Sequence, residues 1–216
     1  MRFIAPEPGG NVLKKVFMFV LILAVLFMPM AGADDMIEEV PASSIFEDVL
    51  PEMVYGTEPE INARSAIVID AESGRVLFEK NAYIKRPMAS TTKVMTAIIT
   101  LENCDLNEVV TVSRNAALVN GSTINLTTGE KLTMRELMYG LLLRSGNDAA
   151  IAIAEHIGGS VDGFAKMMND KAREIGAYNT KFTTPHGLDE EGHYSTAYDM
   201  ALITRYALKN PVFNDI

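Results

Sequence analysis

The sequence predicts an α+β fold, in which a cluster of helices packs against a small sheet. Two β-rich runs flank a four-residue turn within residues 65–79, and apolar residues recur at helical spacing from residue 90 onward. The chain has 216 residues, of which 48% are hydrophobic, which suits one globular domain with attachments. The single cysteine, Cys104, excludes an internal disulfide and a Cys-rich zinc site.

The first 33 residues have the three parts of a secretory signal peptide. Lys14 and Lys15 precede an apolar run at 16–28, and Ala31-Gly32-Ala33 supplies small residues for a cleavage site. A membrane anchor is the alternative, but a bilayer core requires about 20 apolar residues and this run is shorter. We therefore expect cleavage after Ala33 and export of the chain to the cell envelope, the periplasm or the cell surface.

Residues 34–63 have the composition of an acidic linker. They contain nine acidic residues, no Lys or Arg, and three prolines, which is typical of a solvated connecting segment. The net charge of −9 also argues against nucleic acid as a partner, because such binding requires clustered basic residues. The folded domain is therefore expected at 64–216.

Local patterns predict the elements of this domain in order. The runs SAIVID and RVLFE around Ala71-Glu72-Ser73-Gly74 predict a β-hairpin. Thr133 and Glu136 form a capping box, which predicts the start of an amphipathic helix. Strands are expected at 65–70, 75–79, 108–113 and 181–184, and helices at about 90–103, 133–144, 148–157, 160–175 and 196–209.

Ser90 and Lys93 are a candidate catalytic pair. Ser90 is the only serine with a lysine three residues later, and that spacing places both side chains on one face of a helix. An amine that desolvation keeps neutral can take the proton of a serine hydroxyl and make it a nucleophile. The helix N-terminus favours the negative charge that would develop there. The same spacing also fits a helix cap followed by a surface lysine.

Ser145-Gly146-Asn147 lies between two predicted helices. In the structural interpretation, Gly146 ends one helix in the left-handed conformation and Asn147 caps the next. In the functional interpretation, the tight turn presents a hydroxyl and a carboxamide to a cleft, where Ser145 relays a proton and Asn147 holds a substrate amide. The two interpretations are compatible.

The three histidines suggest a zinc peptidase as an alternative to a serine enzyme. His186 and His193, with Asp189 between them, could mimic metal ligands. The H-E-x-x-H motif is absent, however, and residues 184–192 have the composition of a polar loop, so we expect no metal. His156 is expected to be a helix-end residue that interacts favourably with the helix dipole.

Four ordered blocks of the chain are similar to the D-alanyl-D-alanine carboxypeptidases, the low-molecular-weight penicillin-binding proteins. The similarity runs from about Ile61 to the C-terminus, and the blocks are RPMASTTK at 86–93, TGEKLTM at 128–134, LLRSGNDAA at 142–150 and TPHGLD at 184–189. The resemblance implies a penicillin-recognising serine fold of the β-lactamase and transpeptidase type.

The resemblance also implies an activity and its residues. Such an enzyme removes the terminal D-alanine from peptidoglycan stem pentapeptides that end in D-Ala-D-Ala, and β-lactam antibiotics acylate it. By this resemblance Ser90 is the acylated nucleophile, Lys93 its general base, Ser145 the proton relay, and Asn147 a partner of the substrate and the lysine. No cofactor is implied, and His186 and His193 receive no chemical step.

The sequence departs from the family pattern in one respect. The K-T-G motif, which the family carries on a later strand beside the nucleophile, has no match. We therefore expect a domain that lacks the C-terminal strands of its sheet, folds poorly from residue 34 onward and hydrolyses D-Ala-D-Ala peptides slowly. Two alternatives stay open. One is a serine β-lactamase, although that class usually carries S-D-N where this chain has Ser145-Gly146-Asn147, and the other is a non-catalytic remnant.

Overall fold

A computed structural model describes residues 59–216 of the chain. The proposed signal peptide at 1–33 and the linker up to residue 58 lie outside the described residues. The predicted domain boundaries therefore remain predictions.

Helices dominate the described region, and two small antiparallel strand pairs accompany them. The strands are β1 (Ala66–Ile69), β2 (Val76–Lys80), β3 (Val109–Thr111) and β4 (Lys131–Thr133). The helices are a 3₁₀ turn (Ala89–Thr92), α1 (Lys93–Asn103), α2 (Arg114–Ala117), α3 (Met134–Leu143), α4 (Asn147–Gly158), α5 (Val161–Ile175), α6 (Ala197–Ala207) and α7 (Pro211–Asp215). Within 59–216, no helix is long and apolar enough to cross a membrane.

The predicted hairpin is confirmed. Strands β1 and β2 pair antiparallel, with Ala66 opposite Lys80. Gly74 adopts a φ of +77° in the turn, and its N–H donates to the carbonyl of Asp70 at 2.8 Å. Arg205 of α6 donates through Nε to the carbonyl of Ala71 at 2.7 Å, so the turn is fastened to the helical cluster.

Helix α1 is the centre of the core. Its residues from Lys93 to Thr100 are buried with the exception of Val94, and it contacts α3, α4, α5, α6 and α7. The predicted capping box is present, since the Thr133 side chain accepts the Glu136 N–H and the Glu136 carboxylate accepts the Thr133 N–H at 2.8 Å. This cap fixes the start of α3, which packs its buried face on α1. Burying such apolar faces is the main favourable contribution to folding.

The prediction of a strand at 181–184 is wrong. Lys181 makes only an isolated bridge to Tyr194. The next two backbone donors are used by side chains, because Phe182 N–H donates to Asn169 Oδ1 at 2.9 Å and Thr183 N–H donates to His193 Nδ1 at 3.0 Å. With those donors occupied, no ladder can form there. Pairing of β3 with β4 and the short helices α2 and α7 were not predicted.

Candidate active site

Ser90 and Lys93 lie at the point where the 3₁₀ turn passes into α1. Ser90 belongs to the turn and Lys93 is the first residue of the α-helix. The structure brings them together, with Lys93 Nζ 3.0 Å from Ser90 Oγ. Lys93 is buried, with 2% of its surface exposed, whereas Ser90 is exposed. The alternative of a surface lysine is therefore wrong.

The turn that carries Ser90 is held by unusual backbone geometry. Ala89 adopts a φ of +46°, and Thr91 donates its N–H to the Met88 carbonyl at 3.2 Å. Gly187 crosses directly over this turn, with a φ of +87°. A Cβ on Gly187 would lie 1.9 Å from the carbonyl oxygen of Ala89, so only glycine allows the two segments to approach so closely.

Lys93 contacts three oxygen atoms and no carboxylate. Its Nζ lies 3.0 Å from Ser90 Oγ, 2.8 Å from Asn147 Oδ1 and 2.9 Å from the backbone carbonyl of His186. Burial lowers the pKa of Lys93 from its ordinary value of 10.5 to about 8. The cause is desolvation, which penalises the charged form of an amine.

Ser145 approaches Ser90 from a second segment. Its hydroxyl donates to Ser90 Oγ at 2.9 Å. Ser145 adopts a φ of +55°, whereas Gly146 has an extended backbone and is the N-cap of α4. The sequence interpretation is corrected on this point, since Ser145 rather than Gly146 takes the left-handed conformation and Asn147 is the first helical residue rather than the cap.

The orientation of the Asn147 side chain is fixed by its partners. Nδ2 donates to the carbonyl of Asn120 at 2.7 Å, so Oδ1 must be the atom that faces Lys93. The backbone N–H of Asn147 also donates to the carbonyl of Ser122 at 2.7 Å. Residues 120–122 therefore hold Asn147 in position from behind.

Asp148 supports the candidate site, and sequence reasoning missed it. It is 1% exposed, and its carboxylate accepts the backbone N–H groups of Ile124, Leu126 and Ala149 at 2.9 to 3.1 Å. These bonds fix the loop that contacts Asn147 to the first turn of α4. The only sequence indication was an acidic residue in a first helical turn, which is common for dipole reasons alone.

His186 and His193 are buried, at 6% and 4% exposed. The Nδ1 of His186 accepts the Leu188 N–H at 3.1 Å, and His193 Nε2 lies 2.9 Å from Thr92 Oγ1. Because both Nδ1 atoms accept backbone N–H groups, each ring carries its proton on Nε2. Burial, reinforced by the charge of Lys93, lowers the pKa of His186 to about 4, and burial also lowers that of His193.

The two buried histidines do not assemble with Asp189. Within residues 59–216, the potential metal ligands that do come together in a group of three are Cys104, Glu108 and His156, on another part of the domain. His156 lies in the last turn of α4, as predicted for a helix-end residue.

The chain is similar to known proteins over most of its described length. The sequence profile of the D-alanyl-D-alanine carboxypeptidases matches residues 53–216. The D-alanyl-D-alanine carboxypeptidase DacF of Bacillus subtilis is 45% identical over 152 residues, which are 68% of this chain and 39% of that protein. The chain thus spans about two fifths of the length of that relative.

Solved structures show the same similarity. A D-alanyl-D-alanine carboxypeptidase from Mycobacterium tuberculosis superposes with a TM-score of 0.69 at 41% identity, over 72% of this chain and 59% of that one. Penicillin binding protein 6B from Escherichia coli superposes with a TM-score of 0.68 at 34% identity, over 74% and 55% of the two chains. These neighbours confirm the predicted α+β fold of the penicillin-recognising type. Because the family profile covers well over half of its length, the chain belongs to the D-alanyl-D-alanine carboxypeptidase family.

Proposed function

We propose that this chain carries the acylation site of a serine D-Ala-D-Ala carboxypeptidase, which removes the terminal D-alanine from peptidoglycan stem pentapeptides and is acylated by β-lactams. The observation that supports this most strongly is the placement of Lys93. Its amine is buried, its pKa is lowered to about 8, and it lies 3.0 Å from Ser90 Oγ.

The hydrogen bonds around Lys93 favour transfer of the Ser90 hydroxyl proton to the Lys93 amine. The Asn147 Oδ1 and the His186 carbonyl can only accept hydrogen bonds, so they take two N–H groups of the amine in its neutral form, which a pKa of about 8 makes accessible near neutral pH. The lone pair is then left facing Ser90 Oγ. Ser90 can donate its proton to Lys93 while its oxygen accepts the bond from Ser145.

A reaction cycle follows from this arrangement. Ser90 Oγ attacks the carbonyl carbon of the penultimate D-alanine as its proton passes to Lys93. The peptide bond to the terminal D-alanine breaks, and the proton held by Lys93 passes through the hydroxyl of Ser145 to the departing nitrogen, which restores the neutral amine. Water then hydrolyses the ester on Ser90 and releases the shortened peptide. A β-lactam carbonyl would enter the same first step.

Asn147 has two roles in this proposal. Its Oδ1 holds Lys93, and its amide would contact a substrate amide bound beside Ser90. The adjacent Ser145 is held in a left-handed conformation, which presents its hydroxyl to Ser90 without rearrangement. Such preorganisation is a large part of what enzymes contribute to a reaction.

The test is covalent labelling of the full chain with benzylpenicillin, followed by intact mass and peptide mapping. We expect one adduct on Ser90, its loss in Ser90→Ala, and its retention in Ser160→Ala, which removes only the N-cap of α5. Release of the terminal alanine should be measured on a peptide ending in D-Ala-D-Ala and on one ending in L-Ala. A wild-type level of adduct in Ser90→Ala would refute the assignment.

The same assays separate the alternatives. Turnover of the penicillin, with no D-alanine release, would indicate a serine β-lactamase. Absence of both penicillin labelling and D-alanine release would indicate a non-catalytic remnant. In that case the proposed function is wrong for this chain.

Export belongs to the proposal as well. It is supported by the signal-peptide pattern of residues 1–33 and by a substrate class that lies outside the cytoplasm. N-terminal sequencing of the chain recovered from the envelope fraction should begin at Asp34. Recovery of uncleaved chain in the cytoplasm would contradict it.

A further inference from the structure

We propose that Cys104, Glu108 and His156 form a binding site for a zinc-class divalent cation. Each residue offers one ligand atom, a thiol, a carboxylate oxygen and an imidazole nitrogen, and these atoms lie within 4.8 Å of one another. Thiolate, imidazole and carboxylate are the three ligand types that proteins use for Zn²⁺. This site is separate from the Ser90 cleft and does not depend on the proposed function.

The distances suit a tetrahedral ion. Ligands at about 2.0 to 2.1 Å from tetrahedral zinc are roughly 3.3 Å apart. His156 Nε2 and Glu108 Oε2 are already 3.1 Å apart. The Cys104 sulfur lies within 4.8 Å of both atoms, and its longer zinc–sulfur distance of about 2.3 Å places it farther from the ion than the other two ligands. Cys104 follows the last residue of α1 and is partly buried against the edge of the core, so the sulfur would approach the ion from the protein side.

A second observation favours a ligand role for Glu108. Its Oε1 accepts the backbone N–H of Asp105 at 3.0 Å, so the carboxylate is held with Oε2 toward His156. Bonds from neighbouring groups that orient a ligand in this way are a regular feature of metal sites. His156 pairs with Glu108, and the Cys104 thiol donates to the Asp105 carbonyl at 3.5 Å, so a bound cation would replace these contacts and the thiol proton.

The ligands come from three different parts of the fold. Cys104 caps the end of α1, Glu108 directly precedes β3, and His156 is in the last turn of α4. Glu108 and His156 are exposed, so water can fill the fourth position. A bound ion would therefore tie together the far ends of the two helices that begin at Lys93 and at Asn147. We expect it to stabilise the domain without entering the acylation chemistry.

The test uses the full chain, freed of metal with a chelator and titrated with Co²⁺ and then Zn²⁺. Co²⁺ should give the near-ultraviolet charge-transfer absorption of a cobalt–thiolate bond, and Zn²⁺ should displace it and raise the thermal unfolding temperature. Cys104→Ser should abolish the absorption. Glu108→Gln and His156→Ala should each weaken Zn²⁺ binding about 10- to 100-fold, and all three should lose the thermal shift.

Glu155→Gln is the matched control, because Glu155 precedes His156 on α4 and bonds Asn115 rather than the cluster. This variant should bind both metals like the wild type. Absence of the charge-transfer absorption, or equal Zn²⁺ affinity in all the variants, would overturn the proposal. Equal affinity would place the bound metal elsewhere on the chain. Retained penicillin labelling in Cys104→Ser would separate this result from any failure of the catalytic proposal.

Discussion

The close approach of Gly187 to the turn that carries Ser90 gives a prediction that one methyl group can test. Gly187→Ala adds a Cβ that would lie 1.9 Å from the Ala89 carbonyl oxygen and 2.6 Å from Thr92 Oγ1. Gly129 is the matched control. It has nearly the same backbone conformation, with a φ of +84° against +87°, but nothing lies within 4 Å of its Cβ position.

Both substitutions place an alanine in the left-handed conformation, but only Gly187→Ala also creates a steric clash. A left-handed alanine costs about 1 to 2 kcal/mol in either position. At Gly187 the two segments must also separate from 1.9 Å to at least 3.0 Å. Overpacking of this kind costs about 1 to 3 kcal/mol. Because the displaced carbonyl belongs to the residue before Ser90, we also expect acylation to slow by about 100-fold, the usual effect of a misplacement near 1 Å.

The assays are chemical denaturation and the rate of covalent penicillin labelling at Ser90. Gly129→Ala should lose about 1 to 2 kcal/mol of unfolding free energy and keep the wild-type labelling rate. Gly187→Ala should lose about 2 to 5 kcal/mol and most of its labelling rate. If the two variants have equal stability and equal labelling rates, then the approach of Gly187 to Ala89 does not position the nucleophile.

Three further changes test neighbouring contacts. Lys93→Arg should lower the labelling rate by at least about 100-fold, because a guanidinium stays protonated and cannot accept the hydroxyl proton; near-normal labelling would refute the general-base role. Asp148→Asn should lose about 2 to 3 kcal/mol of unfolding free energy, because an amide leaves a buried N–H without an acceptor. Its control, Asp162→Asn, occupies the same second position of α5 but is exposed and should change little in urea denaturation. Acid should weaken the fold, because the folded pKa of His186 is about 4 against 6.5 when unfolded. Unfolding free energy should then fall by about 3 kcal/mol as the pH drops from 6.5 through 4. His186→Asn should flatten that dependence in urea titrations at pH 7 and pH 4.5.

Local sequence patterns were enough to predict most elements of the domain. The spacing of apolar residues and the Thr133–Glu136 box predicted α3, and the SAIVID and RVLFE runs predicted the hairpin. These features succeed because a cap or an amphipathic face is decided by residues within one or two turns. The strand predicted at 181–184 fails because contacts with residues distant in sequence decide the structure there. The backbone N–H groups of this segment donate to the side chains of Asn169 and His193 and not to another strand.

In the candidate site too, contacts between residues close in sequence were predictable, whereas contacts with distant backbone groups were not. Ser90 and Lys93 are three residues apart, so their meeting was predictable from the helix geometry. The carbonyl of His186, by contrast, lies 93 residues from Lys93 along the chain. A backbone carbonyl has no residue type by which a sequence could reveal it. Asp148 was equally hidden, because its three partners are also backbone groups.

Backbone strain converges on the candidate nucleophile. Ala89, next to Ser90, and Ser145, which donates to Ser90, both adopt positive φ angles without being glycine. Each such residue costs about 1 to 2 kcal/mol, so it persists only where its surroundings impose it. The surroundings here are Gly187, which crosses over Ala89, and the Gly146 N–H, which donates to the Gly140 carbonyl at 3.0 Å. The two hydroxyls are therefore brought together by contacts with distant segments, at the expense of local conformational preference, before any substrate arrives.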